Sequence, residues 1–255
     1  STAIGDVDGD GRKDVLLLEP TRATAMLTGE LPSASTRILT FPQPIMSTER
    51  AQKSGRSLDS ALLTDIDGDG KLDVFWEHTV RSGSWFGSTA QLEWSLGNGQ
   101  SFSKPQVLSI NKAVISTSLS DIDGDGDRDL LIIGTDFGLA AIGKALISRS
   151  VDMQVTLHRY NNGFSAAEKL IEMDVPIDAT DSIDVRLEDV NGDGAEELIS
   201  VLPKQLSIRL QDGSTKLMGL AVGGRIASMA THPDGHMLLL WNDSSRRGEL
   251  VVIAH

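Results

Sequence analysis

The chain has 255 residues, a formal net charge of −13 at pH 7 from 36 acidic against 23 basic residues, and no cysteine. The missing thiols exclude disulfides and zinc–thiolate sites. No basic stripe or interleaving of aromatic and basic residues speaks for nucleic acid, and no apolar run is long enough for membrane insertion.

Thr2–Gly5 reads as a short strand running into Asp6-Val-Asp-Gly-Asp-Gly-Arg-Lys-Asp14, and Asp14–Leu18 as the apolar strand leaving it. The order recurs with Ser60–Thr64, Asp65-Ile-Asp-Gly-Asp-Gly-Lys-Leu-Asp73 and Asp73–Trp76. It recurs again with Ser116–Ser120, Asp121-Ile-Asp-Gly-Asp-Gly-Asp-Arg-Asp129 and Asp129–Ile133. A near copy follows in Ile183–Glu188, Asp189-Val-Asn-Gly-Asp-Gly-Ala-Glu-Glu197 and Glu197–Val201. Continuous apolar runs of this kind suit inner strands packed on both faces. Alternating third strands, glycine turns and fourth strands follow: Ala90–Leu96, Gly97-Asn-Gly99 and Phe102–Ile110; Gln154–Tyr160, Asn161-Asn-Gly163 and Phe164–Met173; Leu206–Leu210, Gln211-Asp-Gly213 and Thr215–Val222.

A fifth unit is degenerate. Ala227–Trp241 aligns with Ala61–Trp76 but keeps only Asp234 of the carboxylates, so a plain turn without metal is expected, with Glu249–Ala254 as a third strand and no fourth. The period of roughly 60 residues is too long for one solenoid coil and suits a four-stranded blade. The expected fold is therefore all-β: a β-propeller of four-stranded antiparallel blades, about five of them visible, either part of a larger ring or incompletely closed. A single domain spans 1–255, with repeats near 1–58, 59–114, 115–181, 182–224 and 225–255. The start at Ser1 suggests a mature or trimmed fragment.

Alternating carboxylates repel one another unless a cation sits among them, and the two glycines let the backbone curl so that they converge. Hard oxygen donors at this density predict calcium, about four ions in all; magnesium dehydrates too reluctantly for such cages. Positions 1, 3, 5 and 9 supply side-chain oxygens and position 7 a carbonyl. The ligands are Asp6, Asp8, Asp10, Arg12 and Asp14; Asp65, Asp67, Asp69, Lys71 and Asp73; Asp121, Asp123, Asp125, Asp127 and Asp129; and Asp189, Asn191, Asp193, Ala195 and Glu197. The fourth set has one charge fewer and should be weakest. An EF-hand needs an acid at position 12 and a helix after it, whereas Leu17, Trp76, Ile132 and Ser200 stand there before strands. Apart from these ligands the acids and bases nearly balance, so the acidity belongs to the loops and says little about partners.

Two other features stand out. Asp136–Ser150 reads as an amphipathic turn or short helix capping blade edges, with partner docking as the alternative, and Trp85 and Phe86 sit on a Gly/Ser-rich tip. His232 and His236 lie four apart, but Pro233 and Gly235 argue for a turn, not a zinc-binding helix face.

Through its four loops and following strands the chain resembles the FG-GAP/VCBS family of integrin-α-like β-propellers. The resemblance implies calcium held within each blade and a ring serving as a platform for protein or glycan recognition. The Phe-Gly and Gly-Ala-Pro signatures of integrins are absent; Asn161-Asn-Gly-Phe164 and Asn98-Gly-Gln-Ser-Phe102 are similar to the turn-plus-Phe element of bacterial versions. The expectation is a non-catalytic, calcium-stabilised scaffold, extracellular, at the cell surface or periplasmic. The alternatives are a propeller subunit of a larger toxin or adhesin, with a neighbouring domain or subunit completing the last blade, and an accessory domain of a secreted polysaccharide- or lipid-acting enzyme.

Overall fold

In a computed structural model the described residues are 2–19, 22–28, 35–40, 61–81, 88–136, 139–176, 184–191, 193, 196–202, 205–210, 213–220, 225–232, 235–242 and 247–254. The Trp85–Phe86 tip, the Ala195 carbonyl, Asp234 and most of the Gln211-Asp-Gly213 turn lie outside them.

Among the described residues nineteen strands form five antiparallel meanders, each built from neighbours in sequence. The first sheet holds β1 (Thr2–Gly5), β2 (Asp14–Leu18), β3 (Arg22–Leu27) and β4 (Ser35–Thr40). The second holds β5 (Ala61–Thr64), β6 (Asp73–Arg81), β7 (Ser88–Ser95) and β8 (Gln106–Ile110). The third holds β9 (Ala113–Ser120), β10 (Asp129–Thr135), β11 (Ser150–His158) and β12 (Glu168–Pro176). The fourth holds β13 (Asp184–Glu188), β14 (Glu197–Leu202), β15 (Gln205–Arg209) and β16 (Thr215–Gly219). The last has three strands among the described residues: β17 (Arg225–His232), β18 (Gly235–Asn242) and β19 (Arg247–Ala254). This is the blade architecture of a β-propeller. The chain divides into two compact units, one of Ser1–Leu119, Gly126–Ile142 and Met153–Glu172, the other of Ser120–Asp125, Gly143–Asp152 and Met173–His255.

Each acidic loop joins the first two strands of its sheet, and the pairing starts at its last acid: Gly5 opposite Asp14, Thr64 opposite Asp73, Glu188 opposite Glu197. In the first unit, Val74 and Trp76 of the second sheet bury against Leu16, Leu18, Ala23, Ala25 and Leu39 of the first. One repeat on, Leu130 and Ile132 bury with Phe75, Leu92 and Trp94 of the second sheet. The turn-plus-Phe element plugs these seams: Phe102 joins the first cluster and Phe164 the second. Phe164 meets Trp94, Tyr160 and Phe75 edge-on, with ring centroids 4.7, 5.3 and 6.4 Å apart. In the second unit Ile199, Val201, Leu206, Ile208 and Val251 form a separate core.

Two details differ from the sequence expectations. The inner strands β6, β10 and β14 open with runs of buried residues on both faces, but β2 alternates, with Val15 36% and Leu17 45% exposed. They are register equivalents of Val74 and Trp76, which are buried. In the second and third sheets the strands after the Gly turns begin later than expected, because Phe102 and Phe164 make isolated bridges to Gly97 and Tyr160 instead. The insertion, expected as an amphipathic turn or short helix, is a helix, α1 (Leu139–Ser148), ended by Arg149 in the left-handed region at φ 56°. Its Leu146 and Ile147 are exposed, and Lys144 is paired with Asp152 and Asp174.

Adjacent residues of β2 thus face opposite environments. Leu16→Ala, at a fully buried site, should cost about 2–5 kcal/mol in denaturant unfolding, and Leu17→Ala less than about 0.5 kcal/mol. Equal costs would mean that the outer face is covered in solution.

Candidate metal loops

The first loop curls around Asp6. Its Oδ1 accepts the N–H groups of Gly9 (2.7 Å) and Asp10 (3.2 Å), and its Oδ2 that of Gly11 (2.7 Å). Gly9 and Gly11 sit at φ 79° and 83°, the left-handed region that side chains avoid. The curl brings Asp6, Asp8 and Asp10 together, with one oxygen of each within 4.8 Å of the others; Asp121, Asp123 and Asp125 do the same. In the second loop the trio is Asp65, Asp67 and Asp73. Asp69, the expected fifth-position ligand, is instead hydrogen-bonded by the Lys71 Nζ at 2.6 Å. A cation also approaches the first loop: Arg37 Nη1 lies 3.8 Å from Asp8 Oδ2 while donating to the Gly99 carbonyl at 2.5 Å.

In the fourth loop the Asn191 Nδ2 donates to Asp193 (2.8 Å) and to Glu197 Oε1 (2.9 Å). Asn191 thereby bridges two carboxylates that would otherwise repel. The first-, third- and fifth-position acids of the other loops have no such neutral bridge in sequence.

Position 9 has a second task that sequence reasoning missed. Asp14, Asp73, Asp129 and Glu197 are all at most 1% exposed. Asp14 Oδ2 accepts the Val7 N–H (3.1 Å), Asp73 Oδ2 the Ile66 N–H (2.7 Å) and Glu197 Oε2 the Val190 N–H (2.9 Å), so each ties its loop back to the second position. The other oxygen reaches the end of the third strand: Asp14 Oδ1 accepts from Thr28 (2.8 Å), Asp73 Oδ1 from Gly97 (2.7 Å) and Asp129 Oδ1 from Tyr160 (2.9 Å). Carboxylate oxygens accept more than one bond, so these clamps leave lone pairs for a metal. The readable signal was an acid at the first residue of a buried strand, where charge is tolerated only if fully hydrogen-bonded.

The electrostatics of the second loop are strained. Burial, with the Asp67 and Asp65 charges adding to it, pushes Asp73 up to about 7 against the pull of its two backbone bonds. Asp67 is likewise raised by burial and by Asp69 and Asp65, and Glu197 by burial and by Asp193 and Asp189. Burial and the charges of Asp67, Asp73 and Asp127 push the Tyr160 phenol up to about 12. Asp8 Oδ1 and Asp65 Oδ1 are buried and meet no hydrogen-bond donor. Oxygen-only donors, clustered charge and orphaned carboxylate oxygens fit a hard divalent cation.

Comparison with known proteins bears on the repeat and on the fold. Residues 65–132, spanning the second and third loops, match the model for FG-GAP-like repeats, so the chain carries at least that repeat. No curated protein matches the chain in sequence. Among solved structures, rhamnogalacturonan lyase YesW is similar with a TM-score of 0.51 and 14% identity, over 100% of this chain and 49% of that one. Bacillus licheniformis rhamnogalacturonan lyase PL11 is similar with a TM-score of 0.44 and 13% identity, over 95% and 46%. The chain spans about half the length of either structure. The likeness to the first is one of fold, a propeller-type series of blades.

A raised folded-state pKa at Asp73 favours its protonated form in the native state. In chelator, stability should therefore fall as pH rises from ~4, the unfolded value, to about 7, and flatten above it. Melting temperatures across that range in EDTA check the sign; a rise through the same window would contradict it. Gly97→Ala should destabilise at every pH, since a Cβ there would lie 2.2 Å from the Leu72 carbonyl oxygen.

Proposed function

We propose that this chain is a calcium-stabilised β-propeller scaffold that recognises a protein or glycan outside the cytoplasm, and that it is not itself a catalyst. The observation that carries the metal half of this reading is the three carboxylate trios, each within 4.8 Å, at equivalent bends of successive blades. A calcium ion at each would be held by the first-, third- and fifth-position carboxylates and the seventh-position carbonyls of Arg12, Lys71 and Asp127. Asp14, Asp73 and Asp129 would complete the set, and Asp189, Asn191, Asp193, Ala195 and Glu197 the weaker fourth. The ion would supply positive charge that the backbone clamps lack, and binding only to the folded loops adds stability by mass action. Such sites fill where calcium is abundant, which supports an extracellular, cell-surface or periplasmic setting.

Recognition rests on weaker support: the FG-GAP-like repeat, and a fold shared with a protein named as a polysaccharide lyase. Against catalysis by this chain, buried His158 is held at 2.9 Å from the Ser165 carbonyl through Nδ1. The β17–β18 register sets His232 opposite Gly235 and His236 opposite Thr231. A second reading has one observation in its favour. The last sheet has three strands among the described residues, so β19 offers an edge to which a neighbouring domain or subunit of a toxin, adhesin or polysaccharide-acting enzyme could add a strand.

Calorimetric titration should count three to four calcium ions per chain, and EDTA should lower the melting temperature. At free calcium a hundred times Kd each site contributes about 2.7 kcal/mol. Asp67→Ala should remove one ion and leave the others; a count of zero or one in the native protein would end the calcium reading. Glycan-array and surface-protein panels test recognition, and turnover of any polysaccharide would overturn the non-catalytic assignment.

A further inference from the structure

Successive acidic loops are fastened to one another, and the fastener occupies the same place each time. Position 8 is the residue between the carbonyl of position 7 and the buried acid of position 9. In the second loop it is Leu72, whose N–H donates to the Asp6 carbonyl of the first loop at 3.0 Å. Its side chain lies over Gly5, where a Cβ would come within 2.7 Å of Leu72 Cδ2. In the third loop it is Arg128. Its N–H donates to the Ile66 carbonyl at 2.7 Å, and its Nε to the Asp65 carbonyl at 3.0 Å. In the fourth it is Glu196, which accepts a hydrogen bond from the Ser120 hydroxyl just before the third loop. The side chains share no chemistry, yet all three reach the entrance of the preceding loop.

The second and third loops also meet directly. Gly68 sits at φ 70°, and a Cβ on it would lie 2.6 Å from the Gly126 carbonyl oxygen. The carbonyls that Arg128 holds belong to Asp65, a proposed ligand, and to Ile66, whose own N–H is clamped by Asp73. Arg128 itself lies in sequence between Asp127 and Asp129, two proposed ligands of the next ion.

We propose that position 8, and Arg128 above all, is a positioning residue that couples metal loading of neighbouring loops. An ion in the third loop fixes residues 127–129, which holds Arg128 against Asp65 and Ile66 and so preorganises the second loop for its own ion. This inference rests on the calcium reading above. Coupling is reciprocal: whatever factor the third loop lends to the second, the second returns. Loading then spreads along the series of blades instead of occurring loop by loop.

The test is calcium titration by calorimetry in a full-length background carrying Asp8→Ala and Asp193→Ala, which leaves the second and third loops active. The expected isotherm is cooperative, with a Hill coefficient above 1. Adding Asp123→Ala should weaken the second loop by about fivefold or more, the lower end of ordinary coupling, and adding Asp67→Ala should weaken the third by the same factor. Arg128→Met keeps the stem and the backbone bond but loses the Nε donor, and should shrink that factor at least by half. Melting in EDTA should be nearly unchanged by Arg128→Met, which separates positioning from general stability. Unchanged affinities after Asp123→Ala and Asp67→Ala would overturn the coupling and leave the calcium reading standing. An unaltered factor in Arg128→Met would overturn the role of its side chain. Absence of calcium binding in the background would overturn the inference together with the reading beneath it. Should Arg128→Met fail to fold, the reciprocal pair of loop variants still decides the coupling.

Discussion

A buried carboxylate at the start of the second strand in each of the first four sheets is the constraint on which the rest depends. Asp14, Asp73, Asp129 and Glu197 are nearly inaccessible to water, and a bare charge so placed would cost several kcal/mol. Backbone N–H groups from the loop in the first, second and fourth blades, and from the end of the third strand in the first three, offset that cost and in doing so fix the bend. One side chain thus sets the closure of the loop, the start of the strand pairing and the position of the following turn. It also places a negative charge beside several others. Burial above all, with the Asp67 and Asp65 charges adding to it, raises Asp73 despite its two backbone hydrogen bonds.

The same repetition explains the packing. The first and third residues after the second and third clamps face the preceding sheet: Val74 and Trp76 against the first blade, and Leu130 and Ile132 against the second. The turn aromatics Phe102 and Phe164 fill the space left beside them. The equivalent positions of the first blade, Val15 and Leu17, are exposed. Ile4, Val15 and Met26 lie in one cross-strand row and Leu17 and Ile38 in the next, all partly or largely exposed.

Local charge and local packing therefore serve one architecture. The glycines that let the carboxylates converge also allow the second and third loops to touch, at Gly68 and Gly126. Lys71 and Arg37 supply partial positive charge close to two of the clusters, and Asn191 bridges the fourth. These are modest devices beside the divalent ion proposed above, which would act on all the acids of a loop together.

Fold class and loop positions were legible from sequence because both follow from short-range chemistry. Acids at alternate positions with glycines between them have few ways to bend, and the apolar run after each loop can only be an inner strand. Strand limits at Thr2–Gly5 and Asp14–Leu18 were read to the residue for that reason. What sequence left undecided depends on groups far apart in the chain. Whether β2 is buried on one face or two rests on the presence of another sheet, not on Val15 or Leu17 themselves. The double bonding of the ninth-position acid requires a third strand some 14 to 31 residues distant. The role of position 8 could not be read at all, because Leu72, Arg128 and Glu196 have nothing in common until tertiary packing brings each to the loop before it.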